Sequence, residues 1–238
     1  MNTTAVAPAT LLIVGLALAA CTASPGTGPT DGTEPPAPPA GVVLHDDFDD
    51  DRNEWGIVDN EFGTASYEAG EYVWNTTGSN IHWVAGALIP EDEGGSYGGP
   101  TLTDVTVSAE LSIMSGQGVA GVFCREQADT DADFEWYEFV VRDGFAAIRR
   151  ADTETNQVEL VSTTELALPA GTTFTLEGTC TTLDDGTAEL RLAVNGDEVL
   201  TATDADPILG GIVGQQAYTY PIHAPMTVRW NSFTVTAL

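Results

Sequence analysis

From Val42 onward, apolar residues recur at every second position, and no long stretch repeats them at helical spacing. In DVTVSAELSI the residues Val105, Val107, Ala109, Leu111 and Ile113 share one face, and Asp104, Thr106, Ser108, Glu110 and Ser112 share the other, which predicts a half-buried strand. AELRLAVNGDEVL places Leu190, Leu192 and Val194 on one face before Asn195-Gly196, a pair that accepts the positive φ angles of a tight hairpin turn. A second hairpin is predicted from Phe134 to Arg150 around Asp143-Gly144. Further strand-like runs fall near 67–74, 81–88, 118–125, 157–162, 172–180, 198–203, 210–216 and 226–236. In VRWNSFTV the apolar phase slips between Trp230 and Phe233, predicting a bulge at Asn231-Ser232. Short strands separated by Gly, Asp and Asn turns imply an all-β fold of two packed antiparallel sheets over residues 42–238.

The first forty residues follow a different rule. Leu11 to Ala20 is an apolar run too short to span a bilayer as a helix, and it suits a secretory signal peptide over residues 1–20. It closes on Leu18-Ala19-Ala20-Cys21, which resembles the lipobox of bacterial lipoproteins. That resemblance implies cleavage before Cys21, acylation of its thiol and anchorage on the outer face of a bacterial membrane. Residues 1–10 lack the Lys or Arg usual in that family, and the alternative is an ordinary signal peptide that happens to contain a cysteine. Residues 21–41, rich in Pro, Gly and Thr, read as a disordered tether, because such a composition buries too little apolar area to fold.

Cys124 shares parity with Ala120 and Val122, and Cys180 with Phe174 and Leu176, so both face the interior. Export to an oxidising compartment predicts a disulfide between them, the alternative being two separate buried thiols. Charge narrows the partners further. The chain has 36 acidic residues and 7 basic ones, all arginine, for a formal charge of −29. Such a field repels nucleic-acid phosphates and anionic headgroups, so the anchor is the expected link to the bilayer, and a monomer is expected.

Taken in order, LHDDFDDDRNEW, AGVFCRE, WYEFVVRDG, LRLAVNGDEV, GGIVGQQA and VRWNSFTV resemble the concanavalin A-like lectin/glucanase superfamily, in its laminin-G-like or keto-disaccharide-hydrolase-like branch. The resemblance covers residues 44–238. It implies a jelly-roll sandwich with adjacent first and last strands and a concave sheet that often binds carbohydrate. Glucanases of this superfamily carry three acidic residues alternating along one strand. This chain lacks that pattern: Glu135 and Glu138 are three apart, so a strand sends them to opposite faces.

Candidate chemistry concentrates in the Phe134–Arg150 hairpin. Closed at Asp143-Gly144, it sets Glu138 opposite Arg149, with Trp136, Val140, Arg142, Phe145 and Ala147 on that side. Tyr137, Phe139, Val141, Ala146 and Ile148 form the more apolar side and should face the core. The functional reading makes Trp136 a stacking plate for a sugar ring, with Arg125, Glu138, Arg142 and Arg149 as its polar partners. The plainer reading is a cross-strand ion pair beside a Trp that covers the sheet. Asp129, Asp131 and Asp133 alternate as at the start of a calcium loop, but Phe134 and Val140 stand where an EF-hand needs Gly and Glu. A structural calcium there, or at Asp46, Asp47, Asp49, Asp50 and Asp51, competes with solvated acidic turns. His45, His82 and His223 have no metal-ligand spacing, and Trp55, Trp74, Trp83 and Trp230 are read as core. The expected role is a cell-surface binding module with a glycan ligand and no recognisable catalytic motif. The alternatives are a carbohydrate-active hydrolase with an unrecognised site and a structural surface domain.

Overall fold

The computed structural model describes residues 41–77, 82–86, 101–129, 133–152, 157–219 and 224–238. Cys21 and the rest of the segment expected to be signal peptide and linker, up to residue 40, lie outside them, as does Asp131; the side chains of Trp83, Asp129 and Asp133 are likewise not described.

Fifteen strands occur among these residues: β1 (Val42–Asp46), β2 (Val58–Asn60), β3 (Gly63–Tyr67), β4 (Tyr72–Thr76), β5 (His82–Gly86), β6 (Val105–Ser115), β7 (Val119–Asp129), β8 (Asp133–Arg142), β9 (Phe145–Asp152), β10 (Gln157–Thr163), β11 (Thr173–Thr182), β12 (Ala188–Val194), β13 (Asp197–Asp204), β14 (Ile212–Tyr218) and β15 (Met226–Ala237). They form two antiparallel sheets. One has nine strands in the order β13-β12-β11-β6-β15-β4-β3-β2, with β1 also on β15; the other has six, β10-β9-β8-β7-β14-β5. The first and last strands lie side by side, as expected, with Val42 opposite Thr236 and Asp46 opposite Phe233. The expected run at 67–74 is instead two strands around a tight turn, closed by reciprocal backbone hydrogen bonds between Glu68 and Glu71.

Alternation explains the core. Val105, Val107, Ala109 and Leu111 of β6 are buried and meet Ala120, Val122 and Cys124 of β7 and Tyr137, Phe139 and Val141 of β8 in one apolar cluster between the sheets. Ala146 and Ile148 of β9 join them, so the hairpin faces inward on the side its pattern predicts. Asn195 and Gly196 both take positive φ, 54° and 81°, and join β12 to β13 as the turn chemistry requires. The ladder between β15 and β6 shifts between Trp230 and Ser232, at the expected bulge. Trp55, Trp74 and Trp230 are core residues, Trp55 packing edge-on against Phe233 at 5.1 Å and Trp74 against Trp230 at 5.5 Å.

The acidic run after β1 proves to be turn and packing chemistry. Asp46 is buried; its Oδ2 accepts from Trp55 Nε1 at 2.6 Å and its Oδ1 from the Phe48 amide at 2.8 Å. Asp47 accepts the Asp49 amide, and Asp50 pairs with Arg52 at 2.7 Å, which holds the Asp50 carboxyl below its ordinary range. Among the described residues, no group of His, Cys, Asp or Glu is assembled to hold a metal ion.

Cys124 of β7 and Cys180 of β11 form a disulfide that joins the two sheets across 56 residues of sequence. Closing a loop of that length restricts the unfolded chain and contributes about 3–4 kcal/mol in the chain-entropy model. The Cys124→Ala/Cys180→Ala pair should therefore lower unfolding stability by about 3 kcal/mol in urea titrations monitored by tryptophan fluorescence.

Candidate functional site

In the six-stranded sheet, residues alternate between the shared core and an outward face. On that face β7 contributes Val119 and Phe123, β8 Trp136, Glu138 and Val140, β9 Phe145, Ala147, Arg149 and Ala151, and β14 Gln216 and Tyr218. Its centre is polar. Glu138 lies opposite Arg149, as the hairpin register predicts, and is 0% exposed. Glu138 Oε1 accepts from the Tyr218 hydroxyl at 2.8 Å and from Arg149 Nη1 at 3.4 Å, while Oε2 accepts from Gln216 Nε2 at 2.9 Å. Arg149 Nη1 also donates to the Tyr218 oxygen at 2.7 Å, and Nη2 lies 3.7 Å from Glu159 on β10. A carboxylate without solvent needs such donors, because an unpartnered buried charge costs several kcal/mol. Burial works against the Arg149 cation, but Tyr218 and Glu138 outweigh it and hold its pKa above the ordinary value.

Apolar groups flank this centre at both ends. Toward one lie Phe123, Trp136 and Ala151, with Phe134 and Ile212 packed against them; toward the other lie Val119, Val140, Ala147 and Tyr218, with Phe145. At the second end the guanidinium carbons of Arg142 and Arg149 sit over the Phe145 ring, 5.2 and 5.4 Å from its centroid. Arg142, Phe145 and Arg149 are partly exposed at this end, as Phe134 and Ile212 are at the other.

Two sequence assignments need correction. Trp136 is only 7% exposed and packs with Phe123 and Ala151, so its ring fills the face rather than standing open as a plate. Arg125 does not join this face. It takes a positive φ of 57° where the β7–β8 register shifts between Cys124 and Gln127. The bulge turns its side chain inward, where Nε donates to Thr103 O at 2.8 Å, Nη1 to Ile208 O at 2.9 Å and Nη2 to Thr182 Oγ1 at 2.8 Å. Glu138, Arg142 and Arg149 do come together. Glu135 points to the opposite side, as expected, and pairs with Arg150 at 2.6 Å, which also reaches Asp204 at 3.1 Å.

The same bulge introduces a residue that sequence reasoning missed. Glu126 stands opposite Ile212 in the ladder, so it shares the face of the Phe123–Trp136 cluster, and burial pushes its carboxyl up to about 7. No local signal marks it, since unbroken alternation from Phe123 would put Arg125, and not Glu126, on this face. Two clefts lie elsewhere: about 70 Å³ beside Glu135, Arg150 and Val158, and about 230 Å³ over Glu177, Arg191 and Glu198 on the nine-stranded sheet. Both fall below the size usual for small-molecule sites, roughly 300 Å³ and upward.

Glu126 gives the protein a titration that can be measured. Its folded-state pKa, near 7, exceeds the ordinary value of 4.5, so between those pH values the native state holds a proton that the unfolded chain releases. This contribution to stability is complete below the lower value, falls as pH rises through the window and levels off above it. Glu126→Gln should accordingly match the wild type at pH 4.5 in urea unfolding and exceed it by on the order of 1–2 kcal/mol at pH 8.

No protein-family model matches the chain, and a comparison with curated proteins finds no match. Solved structures do resemble it. A Bacillus subtilis protein of unknown function with a galectin-like fold aligns over 83% of this chain and 96% of its own, with 14% identity and a TM-score of 0.61. The β-glucanase of Bacillus licheniformis aligns over 84% of this chain and all of its own at 13% identity, TM-score 0.55. The κ-carrageenase of Pseudoalteromonas carrageenovora, solved with an oligotetrasaccharide, aligns over 86% and 99% at 9% identity, TM-score 0.53. Likeness over nearly the whole domain at such low identity speaks to architecture alone, and on that evidence, with two stacked antiparallel sheets, the domain has the concanavalin A-like jelly-roll fold.

Proposed function

We propose that this protein is a glycan-binding surface module, exported and tethered through an acylated Cys21, and that it engages sugar on the outward face of its six-stranded sheet. One observation carries the reading: a hydrogen-bonded group of Glu138, Arg149, Gln216 and Tyr218 at the centre of that face, with aromatic residues at both ends. Glu138, Gln216 and Tyr218 are themselves enclosed and hold Arg149 in orientation, so its guanidinium and the Phe145 ring are what this face offers a sugar's hydroxyls and C–H faces. Arg149, Arg142 and Phe145 are partly exposed beside the polar centre, so first contact is assigned to them. The structural neighbours that act on or were solved with polysaccharide fragments support the same choice.

A hydrolase is the rival, and it has one observation in its favour. Glu126 shares the face with Glu138, and a carboxyl held near 7 is suited to donate a proton at neutral pH. Against it stands the state of Glu138, whose two oxygens are already taken up by Tyr218, Gln216 and Arg149. It is thus poorly placed to act as nucleophile or base.

Screening the full-length protein on an array of neutral and acidic glycans should yield bound oligosaccharides that are recovered intact after prolonged incubation. Arg149→Gln should weaken that binding about tenfold or more, by loss of a charge-assisted contact. Turnover of the bound sugar would replace this reading with the hydrolase, and absence of binding to every glycan would remove both. Mass spectrometry of the mature amino terminus should find a lipid-modified Cys21; an unmodified terminus would defeat the tether.

A further inference from the structure

All seven arginines of the chain lie among the described residues, and six of them have an acidic partner. Arg52 pairs with Asp50, Arg125 with Asp104, Arg149 with Glu138, Arg150 with Glu135, Arg191 with Glu189 and Arg229 with Glu71. Arg142 is the exception: among the described residues, no carboxylate lies at ion-pair distance from it and no hydrogen bond engages its guanidinium. The adjacent Asp143 is occupied in the turn, where its Oδ1 accepts from the Leu168 amide at 3.0 Å. Arg142 instead lies over Phe145, 5.2 Å from the ring centroid, on the same face as Glu138 and Arg149.

We propose that Arg142, with Phe145 and Arg149, forms an anion subsite at the β8–β9 turn end of the binding face, and that it receives a sugar bearing a single carboxylate, a hexuronate. This rests on the glycan-binding reading above. The planar guanidinium matches a carboxylate through two parallel hydrogen bonds, and an aromatic ring beneath it holds that fork in orientation without consuming a donor. A neutral sugar leaves this charge uncompensated. Polyanions are disfavoured: the formal charge of −29 repels each added negative group, one local guanidinium can offset a single carboxylate, and Arg149 is already shared among Glu138, Tyr218 and Glu159. Among the described residues the subsite therefore holds one positive charge without an acidic partner.

The test is calorimetric titration of the full-length protein with two probes of the same backbone, a β-1,4-linked glucose tetrasaccharide and that tetrasaccharide oxidised to the carboxylate at C6 of its terminal residue. The wild type should bind the oxidised probe about tenfold tighter. Arg142→Gln should abolish that preference, bringing the ratio of the two affinities to about one whatever the variant does to the neutral probe, while leaving the melting temperature unchanged. Equal affinity of the wild type for the two probes would overturn the subsite and leave glycan binding standing, and this comparison needs no variant. Retention of the preference by Arg142→Gln would also overturn it. Binding of neither probe would overturn the subsite together with the reading on which it rests.

Discussion

A charge without solvent holds one end of this sandwich together. The Arg125 side chain is completely enclosed, and its donors reach the carbonyl of Thr103 ahead of β6, the carbonyl of Ile208 ahead of β14 and the hydroxyl of Thr182 at the end of β11. Asp104 faces it at 3.3 Å and also accepts the Thr182 amide at 2.7 Å. Desolvation lowers the pKa of Arg125, and its bonds to carbonyls, hydroxyl and carboxylate offset what burial costs the cation. Three segments distant in sequence are thereby fixed to β7. Arg150 does similar work on β9, bridging Glu135, Asp204 and the carbonyl of Asp206.

That brace requires the bulge, and the bulge shapes the outward face. Turning Arg125 inward leaves Glu126 beside Ile212 and the Phe123–Trp136 cluster, where its carboxyl is costly to ionise. Farther along the sheet, Glu138 meets the opposite environment, with donors from three side chains. One face thus holds two acidic residues in contrasting surroundings, set apart by a register shift in a single strand.

The two sheets differ in what they offer a partner. Across the outer face of the nine-stranded sheet runs a row of Thr201, Arg191, Thr179, Thr106 and Thr236, one residue per strand. Such a face is well solvated and mixes threonine with exposed charge, Glu177, Arg191 and Glu198 among it. The six-stranded sheet instead combines enclosed polar groups with aromatic rings and exposes arginine at its rim, in a chain that is otherwise strongly acidic. That difference is why the proposed recognition is placed on the second sheet.

Alternation along β6, β8 and β9 was enough to identify the strands, their inward faces and the pairing of Glu138 with Arg149, because a pleated strand leaves only two directions for a side chain. Parity also brought Cys124 and Cys180 to the interior, and Asn195-Gly196 announced its own turn. Contacts across strands distant in sequence carry no such local mark. That Gln216 and Tyr218 of β14 would complete the Glu138 group depended on β14 joining β7. The fates of Arg125 and Glu126 turned on one residue with positive φ, and the enclosure of Trp136 on packing around its face. Periodicity is a property of one strand read alone, whereas partners, burial and the state of a buried charge arise only when strands far apart in the chain are brought together.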